Sequence, residues 1–588
     1  MTLKLTLRQW IVLVVAAPLI TVGILYAAYQ STTPPPTPLS AFVPQGSLLS
    51  IEANDFAALL SSWTASSEQR RWLTSDNYAA FSRSRLFARL GEAQDQFATS
   101  AGLPPDMQFL QQIAGHQSIF AWYDIGNLQF LYITRMPSAA AEQTQLLQLR
   151  SKFQLREAGD DSFYLRTQGE PERTVAFAIH GDYLLLATRE DLLANALLLM
   201  QHQGDASLHT EPWYTTSIAA AKPPSYEQPA LRMTLNLARI LPTPYFRSYW
   251  VQQNITELKQ FSSAVSNLYL GQQSFREDRV LIPTTSDNLL PTADLAPLLQ
   301  LLPANAGVYR ATAQPTTPEI VDALNDKLLS RSPSSFRDQH LAPVADLSVQ
   351  NAGSPTDLDT RIDTLPIPQQ PLTAALASLR ALLNSTHPDA MLVYSSTTNT
   401  TVPATLFLPI HNVVILSAAA PWNPESVQSA LTEALSPHLT IGRAGLAWQS
   451  RQQGTATWFQ LSGLQTLSFA VQGNRCILAT DSESLIQFLR VSNAAAAKPI
   501  IASTIAGFHH TAERPNLARL TSLFDHTVST PQSDDTAPAF FSRNITSLST
   551  TFQSLDSETF TETPAPSTGQ QPNTVHQTVL YQWRPEPR

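Results

Sequence analysis

Cysteine is nearly absent: Cys476 stands alone in 588 residues. One thiol permits no internal disulfide, and the lack of any cysteine near the N-terminus excludes a lipoprotein. Cys476 lies in an apolar, strand-like run, which reads as a small buried hydrophobe rather than a nucleophile. Charge is scarce as well. Asp, Glu, Lys and Arg make up 14% of the chain, the formal net charge is −9, and no basic run occurs. Phosphate binding needs clustered Lys and Arg, so nucleic acid is not an expected partner. HExxH, GxSxG, Walker A and GxGxxG signatures are missing. His509-His510 would point to opposite faces of a strand and make a poor metal pair. The pairs Asp160-Asp161 and Asp534-Asp535 read as solvated turn carboxylates, and His116 with Ser118 lacks the third partner of a triad. No catalytic, cofactor or metal site is expected, and the chain reads as no enzyme.

What is present is a repeat. The run Phe177-Ala178-Ile179-His180-Gly181-Asp182-Tyr183-Leu184-Leu185-Leu186-Ala187-Thr188 returns 292 residues later, as Phe469-Ala470-Val471-Gln472-Gly473-Asn474-Arg475-Cys476-Ile477-Leu478-Ala479-Thr480, with six identities in twelve. Asn236-Leu237-Ala238-Arg239 is answered by Asn516-Leu517-Ala518-Arg519, and Asn254-Ile255-Thr256 by Asn544-Ile545-Thr546. Val43-Pro44 is answered by Leu302-Pro303. The matches keep their order while the spacers change length. A period this long means two domains rather than a solenoid.

The N-terminus carries a second signal. Residues 10–29 are twenty residues without a charge, and a helix of that length spans roughly 30 Å, the hydrocarbon thickness of a bilayer. Trp10 and Tyr26/Tyr29 stand at its ends as interfacial aromatics do. Lys4 and Arg8 precede it and the next cation is Arg70, which puts residues 1–9 in the cytoplasm and the bulk of the chain outside, in the periplasm or its equivalent. The run is long for a cleaved signal peptide and no Ala-x-Ala site follows it. Residues 30–38, with Pro34-Pro35-Pro36 and Pro38, read as an extended linker.

The expected architecture is α+β: an N-terminal transmembrane helix, then two related domains at 39–288 and 289–588, each a mostly antiparallel sheet with helices on one face. In the first, strands are expected at 47–53, 117–124, 127–134, 163–167, 174–180, 183–187, 230–236, 263–270 and 278–283. Helices are expected at 77–100, from Pro137 to about 150, and at 190–201. His180-Gly181-Asp182 reads as a tight hairpin. In the second, strands are expected at 307–312, 390–395, 402–407, 412–417, 457–461, 467–472, 475–479, 544–552 and 574–582. Helices fall at 318–329, 371–384, 424–435 and 482–490, with loops at 330–370 and 561–572.

Aromatic residues stand out as a candidate interaction surface. Trp63 and Trp72 flank a polar turn at 64–71. Tyr245, Phe246, Arg247, Tyr249 and Trp250 crowd one segment, and Phe540, Phe541 and Arg543 hold the matching place in the second half. Core packing would use the same residues. The helices at 77–100 and 190–201 carry enough Leu and Phe to line an apolar groove.

The Asp55…Leu59-Leu60…Trp63…Trp72 segment and the paired Gly hairpins resemble uncharacterised bacterial membrane-anchored proteins with a duplicated exported domain of unknown function. That resemblance implies the layout and no activity. The expected role is therefore a non-catalytic, membrane-anchored binding or scaffold protein of the cell envelope, with an envelope protein as partner. The alternatives are an apolar-ligand (lipid) binding module, and a hydrolase whose site would involve His180 and Tyr183, which Gln472 and Arg475 replace in the second copy.

Overall fold

The computed structural model describes residues 37–83, 85–169, 172–202, 206–223, 227–243, 258–285, 290–303, 306–329, 376–397, 410–439, 447–454, 456–461, 466–490, 498–514, 546–547, 550–566 and 572–584. The 10–29 segment, the 402–407 strand and the 330–370 loop lie outside these residues. Among the described residues no helix is long and apolar enough to cross a membrane.

Among the described residues twenty strands form one continuous antiparallel sheet. Ten come from the first half: β1 (Leu49–Ala53), β2 (Ser118–Asp124), β3 (Gln129–Arg135), β4 (Gln154–Ala158), β5 (Asp161–Gln168), β6 (Arg173–His180), β7 (Tyr183–Ala187), β8 (Leu231–Leu235), β9 (Phe261–Leu270) and β10 (Ser274–Pro283). Ten come from the second: β11 (Val308–Ala313), β12 (Pro388–Thr397), β13 (Ile410–Ala418), β14 (Trp448–Gln453), β15 (Ala456–Leu461), β16 (Leu467–Gln472), β17 (Arg475–Ala479), β18 (Thr504–His509), β19 (Leu555–Ala565) and β20 (Thr574–Trp583). Their spatial order is β4-β5-β6-β7-β3-β2-β1-β8-β9-β10, then β20-β19-β18-β11-β12-β13-β17-β16-β15-β14. Each strand of the first half thus has a counterpart ten places on, and the second half runs through the same order in reverse.

The two halves meet where β10 pairs with β20. Followed pair by pair along the ladder, the registers place Leu131 on Val413, Ser118 on Met391, Leu231 on Thr504 and Asp278 on Thr578. At the seam Asp278 faces Thr578 itself, and the Thr578 hydroxyl donates to Asp278 Oδ1 at 2.9 Å. Equivalent residues opposite one another are what a twofold, isologous contact produces. An open tenth strand would leave a row of unpaired backbone groups, and the seam pairs them. The outer edges β4 and β14 are instead short and mostly polar (Gln154-Leu155-Arg156-Glu157 and Gln449-Ser450-Arg451-Gln452), which discourages further pairing.

Helices cover both faces of the sheet, not one. The first half carries α1 (Phe56–Ala65), α2 (Ser67–Leu73), α3 (Asp76–Phe81), α4 (Arg85–Ala101), α5 (Met107–Ile113), α6 (Glu190–Met200) and α7 (Pro212–Ala220). The second carries α8 (Thr317–Leu324), α9 (Ala377–Thr386), α10 (Pro424–Leu439) and α11 (Ser482–Arg490). Adjacent strand residues explain the two layers. In β7, Leu184 and Leu186 join a core with Phe109 and Ile113 of α5, while Leu185 and Ala187 join Leu193 and Leu197 of α6. In β13, Val414 and Leu416 pack with α8, α9 and α10, while Val413 and Ile415 pack with Phe488 of α11. Continuous apolar runs such as 184–187 are the mark of strands buried on both sides.

Other expectations need correcting. The stretch at 77–100 is two helices, α3 and α4, and the polar turn at 64–71 is largely helical, with Ser66 capping α2 through the Gln69 amide. The helix after Pro137 breaks into Ser138–Ala141 and Gln145–Gln148, because the Thr144 side chain caps a fresh start. Residues 546–547 and 550–551 are helical rather than extended. The supposed loop at 561–572 begins inside β19. Strands β4, β14 and β19 went unanticipated because their polar residues mask the alternation. The two Gly hairpins hold: Gly181 and Gly473 adopt φ of +56° and +61°, the region glycine reaches without strain. Cys476 is buried, which pushes its thiol up to about 12.

Asp481 caps α11. Its Oδ1 accepts from the Ser484 amide at 2.8 Å, and its Oδ2 meets Nδ1 of His411 at 2.6 Å. Partial burial works to raise this carboxyl, but the Ser484 amide, the His411 ring and the Ser484 hydroxyl outweigh it, so it titrates below the ordinary carboxylate range. A carboxyl that titrates lower folded than unfolded stabilises fully above the unfolded value, about 3.9. That contribution is lost as the pH falls through the folded value. Asp481→Ala is expected to cost about 1 kcal/mol at pH 7. The gap from wild type should close as the pH drops from about 5 towards 3; a gap that stays constant would contradict the assignment.

Candidate functional site

A cavity of about 630 Å³ opens between the sheet and the helical layer of the first half. Its floor comes from β1, β2, β3, β6, β7 and β8, and its roof from α1, α4 and α5. The floor is an aromatic ladder. Alternation along β2 puts Phe120 and Trp122 on one face, and the register sets them opposite Tyr132 and Phe130 of β3. Phe120 and Phe130 stack with centroids 4.7 Å apart, and Trp122 lies 5.2 Å from Phe120. Phe56 of α1 meets Tyr132 edge-on at 6.3 Å. The roof presents Leu90 and Phe97 of α4 with Phe109, Leu110 and Ile113 of α5.

Polar groups at the inner end are already satisfied. The Tyr132 hydroxyl donates to the Ile113 carbonyl at 2.9 Å, and the Ser118 hydroxyl lies 2.7 Å from that of Thr134. Burial pushes the Tyr132 phenol above its ordinary range.

The opening carries the charges. Asn127 and Glu172 are exposed there, and Arg173 and Arg189 are half-buried. Arg173 Nε donates to Gln96 Oε1 at 2.8 Å, and its Nη1 to the Asn127 carbonyl at 2.8 Å. Arg189 donates to Gln129 Oε1 at 3.1 Å and pairs with Asp191.

Only part of the anticipated site is brought here. Of the aromatic candidates, Trp63 lies 45% exposed on α1 and Trp72 half-buried on α2, edge-on to Tyr78 at 6.2 Å. Neither lines the cavity. Tyr245, Phe246, Arg247, Tyr249, Trp250, Phe540, Phe541 and Arg543 lie outside the described residues. The expected groove helix at 77–100 does supply a wall, through Leu90 and Phe97, whereas 190–201 packs on the opposite face of the sheet. His180 is held by Asp161 at 2.7 Å and the Tyr183 hydroxyl accepts from Arg135 at 3.1 Å, and neither lines the cavity. His509 and His510 face Asp556 and Glu558 at 3.9 and 3.3 Å. Among the described residues no group of His, Cys, Asp and Glu is arranged to hold a metal ion.

The ladder was missed although its signal was available. Two aromatics at i and i+2 on each strand of one hairpin leave an excess of ring surface on one face. The register maps Phe120, Trp122, Phe130 and Tyr132 onto Val393, Ser395, Asn412 and Val414. The ladder therefore belongs to the first copy alone.

No protein-family model matches the chain, and no curated protein matches it. Among solved structures, crystal forms IV and III of TP0453 are each 8% identical to it. They cover 43% and 42% of this chain and 83% and 82% of their own, at TM-scores of 0.23 and 0.22. Likeness at that level carries no argument.

Proposed function

We propose that this chain is a non-catalytic, membrane-anchored binding protein of the cell envelope that holds one apolar chain, of the lipid class, in the cavity of its first half. Residues 10–29 are the anchor, and 39–288 and 289–588 are extracytoplasmic copies of one domain joined edge to edge. The observation that carries the reading is the cavity: its volume is in the usual range for small-molecule sites, and its floor is a four-aromatic ladder absent from the matching positions of the other copy. Aromatic and aliphatic walls favour an apolar ligand, and the polar groups at the inner end are already paired. A scaffold role for Trp63 and its neighbours has less support, since no second feature marks what would cover them.

Trp122 supplies the test. Titrating the full-length protein with octadecanol dibrominated in mid-chain should quench tryptophan fluorescence, saturating at one equivalent. Trp122→Phe should remove most of that quenching and leave the stoichiometry unchanged. Quenching that never saturates, or that is indifferent to Trp122, would sink the proposal.

A further inference from the structure

We propose that the ligand is an amphiphile whose head is a single oxyanion, carboxylate or phosphate, and that Arg173 and Arg189 hold this head at the cavity mouth. The inference rests on the cavity reading above and adds the chemistry of the ligand's polar end.

Arg173 is the first argument. Its guanidinium has five N–H groups in a rigid fork. Those bonded to protein meet only neutral oxygens, the Gln96 side chain and the Asn127 carbonyl. No carboxylate among the described residues pairs with it. The charge stands half-buried at the rim of an apolar cavity, with its Nη2 edge unused among the described residues. An arginine in this state suits an oxyanion, which can accept from the fork.

Arg189 is the second, and the internal repeat makes it informative. It occupies the N-cap of α6 and gives no side-chain cap there. A cation at that end opposes the helix dipole. The equivalent residue of the second copy is Asp481, which does cap its helix and binds His411. The register sets Gln129 at the His411 position, and Gln129 binds Arg189. The surrounding scaffold is shared: Thr188 accepts from the Phe130 amide at 2.9 Å, and Thr480 from the Asn412 amide at 3.0 Å. One frame therefore carries an Asp–His pair in one copy and an Arg–Gln pair in the other. The charge has changed sign at the copy with the aromatic ladder, against local helix stability. Asp191 takes Arg189 through both Nε and Nη2, which leaves Arg173 as the cation with no carboxylate partner among the described residues and suits a head with one negative charge rather than several.

Both arginines line the cavity beside one turn. Arg173 is tied to Asn127 and Arg189 to Gln129, two residues apart on the β2–β3 hairpin. A head bound there lets its chain run inward over Phe130, Phe120 and Tyr132.

The test compares the affinities of full-length protein for hexadecanoate, the singly charged diester methyl hexadecyl phosphate, and hexadecanol. At least one anion is expected to bind about tenfold or more tightly than the alcohol, the difference a charge-assisted hydrogen bond makes. The tighter anion identifies the head. Arg173→Gln should bring it down to the alcohol's level and leave the alcohol unchanged. Arg189→Asp restores the cap seen at Asp481, so it should raise the melting temperature while weakening the anion about tenfold. Alcohol binding as tight as both anions, or an equal loss for all three in Arg173→Gln, overturns the head assignment and leaves the cavity reading standing. Failure of all three to bind overturns both.

Discussion

An Ala93→Trp variant is expected to fold normally and to lose its bound chain. Ala93 lies on α4, half-buried, with its methyl group on the cavity wall. An indole at this site projects into open volume rather than packed core, so the overpacking cost of about 1–3 kcal/mol in a filled interior does not arise. The melting temperature should stay within a few degrees of wild type. The ring takes up space over the aromatic floor, and affinity for an acyl chain should fall at least about a hundredfold, since a ligand displaced from the wall forfeits most of its apolar burial. Unchanged affinity would mean that the chain binds elsewhere. Loss of folding would mean that the space is filled in the native protein.

Phe177→Ala and Phe469→Ala should be the most destabilising single changes, each by about 3–5 kcal/mol. The two residues are equivalents in the repeat, and both are fully buried. Phe177 stacks on Tyr164 at 5.2 Å and meets Phe153 edge-on at 4.8 Å. Phe469 stacks on Phe459 at 4.9 Å and meets Trp448 edge-on at 5.1 Å. Each substitution opens a cavity inside a three-ring cluster that cannot collapse, because the rings sit on paired strands or, for Phe153, directly before one. Chemical denaturation should show similar losses for the two variants. Ligand affinity should separate them: Phe177 supports the cavity floor and Phe469 lies in the other copy. A loss below about 1 kcal/mol at either site would contradict the packing described.

These outcomes turn on features that the chain displays unevenly. The duplication was legible because Gly181 and Gly473 are held by turn geometry, and the neighbouring strand residues by burial on both faces. Both constraints preserve residue identity over a long period. The run Leu184-Leu185-Leu186-Ala187 also announced a two-sided strand, and the expectation of helices on one face overlooked it. The seam was not legible. Pairing of β10 with β20 runs over eight residue pairs with Asp278 opposite Thr578 among them, and nothing local in Ser274–Pro283 distinguishes an edge strand from a paired one. The cavity lay between these cases. Its floor could have been read from the alternation of Phe120, Trp122, Phe130 and Tyr132. Its roof was legible in part: the helix at 77–100 reads as able to line a groove, but Leu90 and Phe97 would look the same in a closed core. Arg189 reads as an ordinary cation until its equivalence to Asp481 is known.

The most direct measurement is native mass spectrometry of the full-length protein and Ala93→Trp, both isolated gently from the cells that express them. The wild type should carry one reproducible extra mass of lipid size per chain, and the variant should be bare. A bare wild type that takes up no acyl chain when one is supplied, or a variant that retains the same adduct, would contradict the assignment of the cavity as the binding site.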